Sequence, residues 1–134
     1  MHAVIDTNVL IYDTFSDSSF HNDARNLLES LDKWYVPALV LQEYLWFFKR
    51  EKIPLQTAKK MIEWYISDPR FRGLEMSHKN IIHALRMLEE SNRSLSHIND
   101  TIILSHAVLK KYPLASFDIK LREMALQVGV KVLP

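Results

Sequence analysis

Four acids spread through the chain, Asp6, Glu43, Asp100 and Asp118, have the chemistry to work as one group. Carboxylate oxygens are the donors that hard divalent cations take, so acids that met in the fold would make an oxygen-lined metal site. Asp6 carries the clearest signal. It follows the apolar run His2-Ala3-Val4-Ile5, which reads as a buried strand delivering Asp6, Thr7 and Asn8 at its carboxyl end. Ligands of open α/β sheets gather at such ends. The plain alternative is that Asp6 only caps a helix starting near Asn8.

The other acids also have ordinary readings. Glu43 lies in the most apolar helical stretch, beside Val40, Leu41, Tyr44 and Leu45. A carboxylate there needs a cation, a metal or a path to solvent, and a shared polar stripe with Gln42 would serve. Asp100 falls in the first turn of its helix, where the dipole favours an acid, and Asn99 beside it is either a supporting donor or part of the cap. Asp118 directly follows a strand and is placed to cap the last helix. Capping leaves one carboxylate oxygen free, so the two roles are compatible. Ser116 can hydrogen-bond an acid or serve as a small strand residue.

These positions depend on alternating strands and helices. Strands are expected at His2–Ile5, Trp34–Val36, Leu74–Met76, Leu114–Phe117 and Val130–Leu133. Between them, apolar residues at helical spacing predict a short turn over Asn8–Tyr12 and helices over Phe20–Leu31, Ala38–Arg50 and Pro54–Ser67. Further helices follow Ser77 as N-cap, run from His97 to Lys111, and extend from Asp118 to Gln127 with Gly129 as the closing cap. The helix from Ala38 is apolar nearly all round, as for an element buried on several sides or used at an interface. Strands alternating with helices imply right-handed crossovers and a parallel sheet covered on both faces. The expected fold is a three-layer α/β/α sandwich with a mainly parallel sheet of about five strands, formed by residues 1–134 as a single domain.

Composition sets outer limits. The length is 134 residues, 48% hydrophobic and 25% charged, which suits a globular fold. Net charge is +1, too little to coat nucleic acid by bulk attraction, although a metal-filled acidic pocket can neutralise a phosphate locally. Without cysteine, disulfides and thiolate metal sites are excluded. With two glycines, Walker and Rossmann phosphate loops are excluded as well. The N-terminus runs straight into a candidate strand, so no signal peptide is expected, and the longest apolar stretch, broken by Pro37, Gln42 and Glu43, is no membrane span.

Taken in order, Asp6-Thr7-Asn8, Glu43, Asn99-Asp100 and Ser116-Phe117-Asp118 resemble the motifs of the PIN-domain family, especially its VapC-type toxin ribonucleases. The likeness extends over essentially the whole chain. It implies an endoribonuclease dependent on Mg²⁺ or Mn²⁺, cytoplasmic, commonly a homodimer and often neutralised by a small antitoxin protein. Carried over by position, Asp6, Glu43, Asp100 and Asp118 are the metal-binding catalytic acids, with Ser116, Thr7 and Asn8 in support. Ser116 stands where the family often has threonine, which keeps the hydroxyl. The expected chemistry is metal-assisted hydrolysis of an RNA phosphodiester by in-line attack of water on phosphorus.

Four other readings compete. A haloacid-dehalogenase-type phosphatase would want an acid two residues after Asp6, where this chain has Asn8. A receiver domain would want an aspartate ending the third strand, and the chain offers only Glu75 within it. A non-catalytic PIN-like module binding RNA or protein is the stronger rival, as is a stand-alone RNA-processing nuclease. Lys49-Arg50-Glu51-Lys52 and Lys110-Lys111 either touch RNA phosphates or simply complement helix C-termini. Trp46, Phe47 and Phe48 are either core or a partner surface.

Overall fold

The computed structural model describes residues 1–134. Five parallel strands form one sheet: β1 (His2–Ile5), β2 (Lys33–Pro37), β3 (Phe71–Leu74), β4 (Leu114–Ala115) and β5 (Val132–Leu133). Seven α-helices connect them: α1 (Thr7–Thr14), α2 (His21–Ser30), α3 (Ala38–Arg50), α4 (Leu55–Ser67), α5 (His78–Glu90), α6 (Ile98–Lys110) and α7 (Ile119–Gln127). The strand order is β3-β2-β1-β4-β5. The chain therefore walks outward from β1 to β3, then returns to place β4 on the other side of β1. Right-handed crossovers put α1–α4 on one face and α5–α7 on the other, giving the three-layer sandwich expected from the sequence. The reversal between β1 and β4 opens a crevice at their carboxyl ends.

Strand β1 is the centre of this arrangement. Ala3, Val4 and Ile5 are fully buried on successive faces, the continuous apolar run of a strand covered by helices on both sides. Helix α6 lies against β1 and is buried from Thr101 to Ala107. Its predecessor is a short 3₁₀ turn, Leu95–His97, where the sequence suggested loop running into helix.

The third strand lies earlier than expected, at Phe71–Leu74 rather than Leu74–Met76. It is an edge strand paired only with β2, through Trp34↔Phe71 to Pro37↔Leu74, so it needs no continuous apolar run and accommodates Arg72 and Gly73. Glu75 lies outside it. Strands β4 and β5 are also shorter than the apolar runs that predicted them. Gly129 follows the Val128 cap of α7 and takes φ +79°, the left-handed conformation that a glycine enters without strain. Helix α3 is not buried all round: Val40, Tyr44 and Phe48 face the core, whereas Leu45 and Trp46 are exposed.

A buried polar chain joins the helices of the first layer. Thr14 donates to Leu10 O at 2.7 Å, which leaves its hydroxyl to accept from Tyr44 at 2.5 Å and Tyr65 to donate to Asp13 at 2.7 Å. Asp13 is 7% exposed and its only other side-chain partner is Arg25, at 3.4 Å. Burial pushes the Tyr44 phenol up to about 12, keeping it a donor. Removing a partner from a buried acid costs more than removing a donor whose acceptor is otherwise satisfied. Tyr65→Phe should therefore lower unfolding stability by about 1–3 kcal/mol and Tyr44→Phe by about 0.5–1.5 kcal/mol. Urea titrations of the two variants check the order.

Candidate active site

Asp6 ends β1 and begins α1, and its burial follows from that position. Its amide donates to Ala115 O at 2.9 Å, extending the β1–β4 ladder by one residue. Its side chain caps α1 by accepting from Thr7 N at 2.8 Å, while its other oxygen accepts from the Ser116 hydroxyl at 2.6 Å. The helix-cap reading is thus correct, and the capping carboxylate is at the same time the partner of Ser116. Ser116 in turn accepts from Asp118 N at 3.0 Å, so one hydroxyl links the ends of β1 and β4. Asp118 caps α7 by accepting from Leu121 N at 3.1 Å, as its place after the strand suggested.

Glu43 projects from α3 towards the start of α1. It accepts from the Thr7 hydroxyl at 2.5 Å and more weakly from Asn99 Nδ2 at 3.4 Å. Asn99 precedes Asp100 in the first turn of α6, which brings the second helical layer to the same crevice. Asn8 accepts from Phe117 N at 3.3 Å, tying α1 to the chain just beyond β4.

The four acids feel one another electrostatically. Burial pushes Asp6 up to about 7, partly opposed by the Ser116 hydrogen bond and reinforced by Asp100 and Glu43. Asp100 is pushed up to about 6 by burial, then by Asp118 and Glu43. None of the four forms an ion pair; the chain's bridged acids are Asp13, Asp32, Glu63 and Asp68. No three carboxylate or imidazole groups stand close enough to make a ready-made ion cage. The donor set is nonetheless all oxygen and short of positive charge. Such a set fits a hard cation that keeps several waters and takes few direct carboxylates.

Two contributors were invisible from spacing. Arg122, one turn into α7, donates from Nη1 to Ser116 O at 2.8 Å and to Leu133 O at 3.2 Å. It pins the end of β4 against β5, and only its position four residues after Asp118 hinted at this. Phe117 packs with Tyr12 and Phe20 beside the crevice. His106, unassigned from sequence, is buried against Asn80 between α5 and α6 and takes no part in the acidic group.

The chain belongs to the PIN domain family, whose model matches residues 3–126. Among solved structures it is similar to VapC20 of Mycobacterium tuberculosis, a sarcin-ricin loop cleaving toxin, with a TM-score of 0.77 and 18% identity over 98% of this chain and 99% of that one. It is also similar to VapBC2 of Rickettsia felis bound to a fragment of promoter DNA: TM-score 0.70, 18% identity, 99% and 98% coverage. DNA-bound VapBC of Salmonella typhimurium gives a TM-score of 0.72, 18% identity, and the same coverage of 99% and 98%. At these identities the likeness is one of fold. No curated protein matches the sequence.

The raised acids make stability depend on pH in a definite direction. The folded Asp6 carboxyl holds its proton up to about pH 7, whereas an unfolded aspartate releases it near 3.8. The native state therefore binds more protons across that window, and stability falls as pH rises through it. In EDTA, the Tm of the wild type should fall from pH 5 to pH 8 more steeply than that of Asp6→Asn. At pH 8 the variant should be the more stable by about 1–2 kcal/mol, or about 3–8 °C in Tm. Calorimetric scans at several pH values check both.

Proposed function

We propose that the protein is a divalent-metal-dependent endoribonuclease acting as the toxin of a toxin–antitoxin pair. The observation that carries this reading is the buried Asp6 carboxylate at the switch point of a PIN fold, held by Thr7 and Ser116, with Glu43 tied to the same turn through Thr7 and none of the four acids ion-paired. Asp6, Glu43, Asp100 and Asp118 are the residues that would hold Mg²⁺ or Mn²⁺. When bound, such an ion activates water and offsets the charge that develops on the leaving oxygen.

The chain's own groups supply the positioning. Ser116 and the Thr7 amide fix the rotamer of Asp6 through its two oxygens. Thr7 and Asn99 hold Glu43 from two sides. The raised proton affinity of Asp6 and Asp100 means that cation binding displaces protons near neutral pH, so metal affinity should rise with pH. Exposed apolar side chains on α4 (Leu55, Trp64, Ile66) and α5 (Ile81, Ile82, Leu85) supply surface for a second copy and for a small antitoxin. The similarity to VapBC complexes supports that partner, and a cytoplasmic setting goes with it. No helix is long and apolar enough to cross a membrane.

Purified protein incubated with a mixed labelled RNA pool should cleave with Mn²⁺ or Mg²⁺ and stop in EDTA. Asp6→Asn and Asp100→Asn should each lower the rate by about 100-fold or more. Ser116→Ala and Thr7→Val should lower it by about 10- to 100-fold, as for groups that orient ligands. Mn²⁺ should raise the Tm of the wild type and leave Asp6→Asn nearly unmoved. Absence of both cleavage and Mn²⁺ binding by calorimetry would sink the metal-site reading and favour a binding module. Expression of the wild type should arrest growth, and expression of Asp6→Asn should not.

A further inference from the structure

Beyond Glu43, helix α3 presents further polar and aromatic side chains on the same open surface. Glu43, Trp46, Lys49 and Arg50 line one open groove of about 420 Å³. Along a helix, Trp46 lies about 4.5 Å beyond Glu43, and Lys49 and Arg50 about 9 and 10.5 Å beyond it. Trp46 is 55% exposed, large for the most hydrophobic of side chains, although neighbouring Tyr44 and Phe48 are buried. Lys49 and Arg50 form no ion pair, despite Glu51 next in sequence. The Arg50 guanidinium is instead held over the Phe47 ring, 5.7 Å from its centroid.

Each feature alone has an ordinary explanation. An exposed tryptophan can be a protein contact, and cations in a last helical turn complement the dipole. Their order matters: a carboxylate of the candidate metal site, then an open aromatic face, then two unpaired cations, all in one groove. Single-stranded nucleic acid is recognised by this alternation, with bases stacking on aromatic rings and phosphates meeting cations along the strand. Charge separates this surface from the apolar faces of α4 and α5. A buried protein interface tends to exclude charged groups from its core, whereas a polyanion requires them.

Building on the nuclease reading, we infer that the α3 groove is the substrate track: Trp46 stacks a base next to the scissile phosphate, and Lys49 and Arg50 bind the phosphates leading away from it. Trp46 is then a residue that sets preference, because stacking strength differs between bases while the acids are indifferent to them. The strand enters unpaired, since a base inside a duplex has no free face to offer the ring.

Anisotropy of a short labelled single-stranded oligoribonucleotide tests this, with Asp6→Asn as the parent so that the strand stays whole. Adding Trp46→Ala should weaken binding by about 5- to 150-fold, and Trp46→Phe should restore most of the loss. Lys49→Gln with Arg50→Gln should reduce the slope of log affinity against log salt by about 1.4. A strand with abasic positions should bind the parent as weakly as the intact strand binds Trp46→Ala, with no further loss when the two changes are combined. Unchanged affinity in Trp46→Ala overturns the track, as does a loss of affinity accompanied by a change in solution mass, which would assign Trp46 to a protein contact. Failure of the parent to bind RNA at all overturns both this inference and the ribonuclease reading. Stacking without metal-dependent cleavage by the wild type overturns only the ribonuclease.

Discussion

The carboxyl group of Asp6 sits where the sheet changes direction, and much of the molecule is arranged to keep it there. The chain leaves β1, builds two strands outward, and returns through α5 and α6 to lay β4 on the opposite side. That return brings Ser116 within 2.6 Å of a residue 110 positions earlier. A buried charge is costly; a helix-cap amide and a hydroxyl, rather than a cation, offset only part of that cost, and the carboxyl keeps its proton up to about pH 7. Lysine or arginine beside Asp6 would lower its proton affinity, but it would also remove the electrostatic reason for a metal to bind.

Helix α1 is secured to α3 at both ends, through adjacent α3 residues. Thr7, its first residue, donates to Glu43, and Thr14, its last, accepts from Tyr44. One α3 side chain therefore belongs to the crevice and its neighbour to the core network of Asp13 and Tyr65. Side chains on successive helical positions point about 100° apart, which lets a single helix serve both. Core packing in this layer consequently sets the separation of Glu43 from Asp6. On the opposite face, α6 does the same for Asp100, since its buried run from Thr101 to Ala107 fixes the depth of its first turn against β1.

The parts legible in the sequence were those encoded locally. The apolar run before Asp6 read as a buried strand, and Ser77 and Asp118 could be read as caps because capping is a contact between near neighbours. The edge strand misled, because a strand paired on one side has a weaker pattern than the apolar triplet that follows it. Helix α3 read as apolar nearly all round, with burial and an interface both open, for a related reason. Hydrophobicity counts residues but does not say which face meets the core, so Trp46 and Phe48 looked alike although one is open and the other closed.

By itself, the sequence determined the order of elements, the exclusion of any thiolate metal site, and the acids available to a metal. The tertiary structure alone decided that Asp6 meets Ser116, that Asn99 beside Asp100 reaches Glu43, and that none of the four acids is ion-paired. It also decided that Thr7 holds Glu43, that Arg122 fastens β4 to β5, and that Trp46 opens onto the groove. The physical reason is separation along the chain. Contacts within a turn or a cap are written in neighbouring residues, whereas contacts across tens of residues exist only once strand order and helix packing have been set.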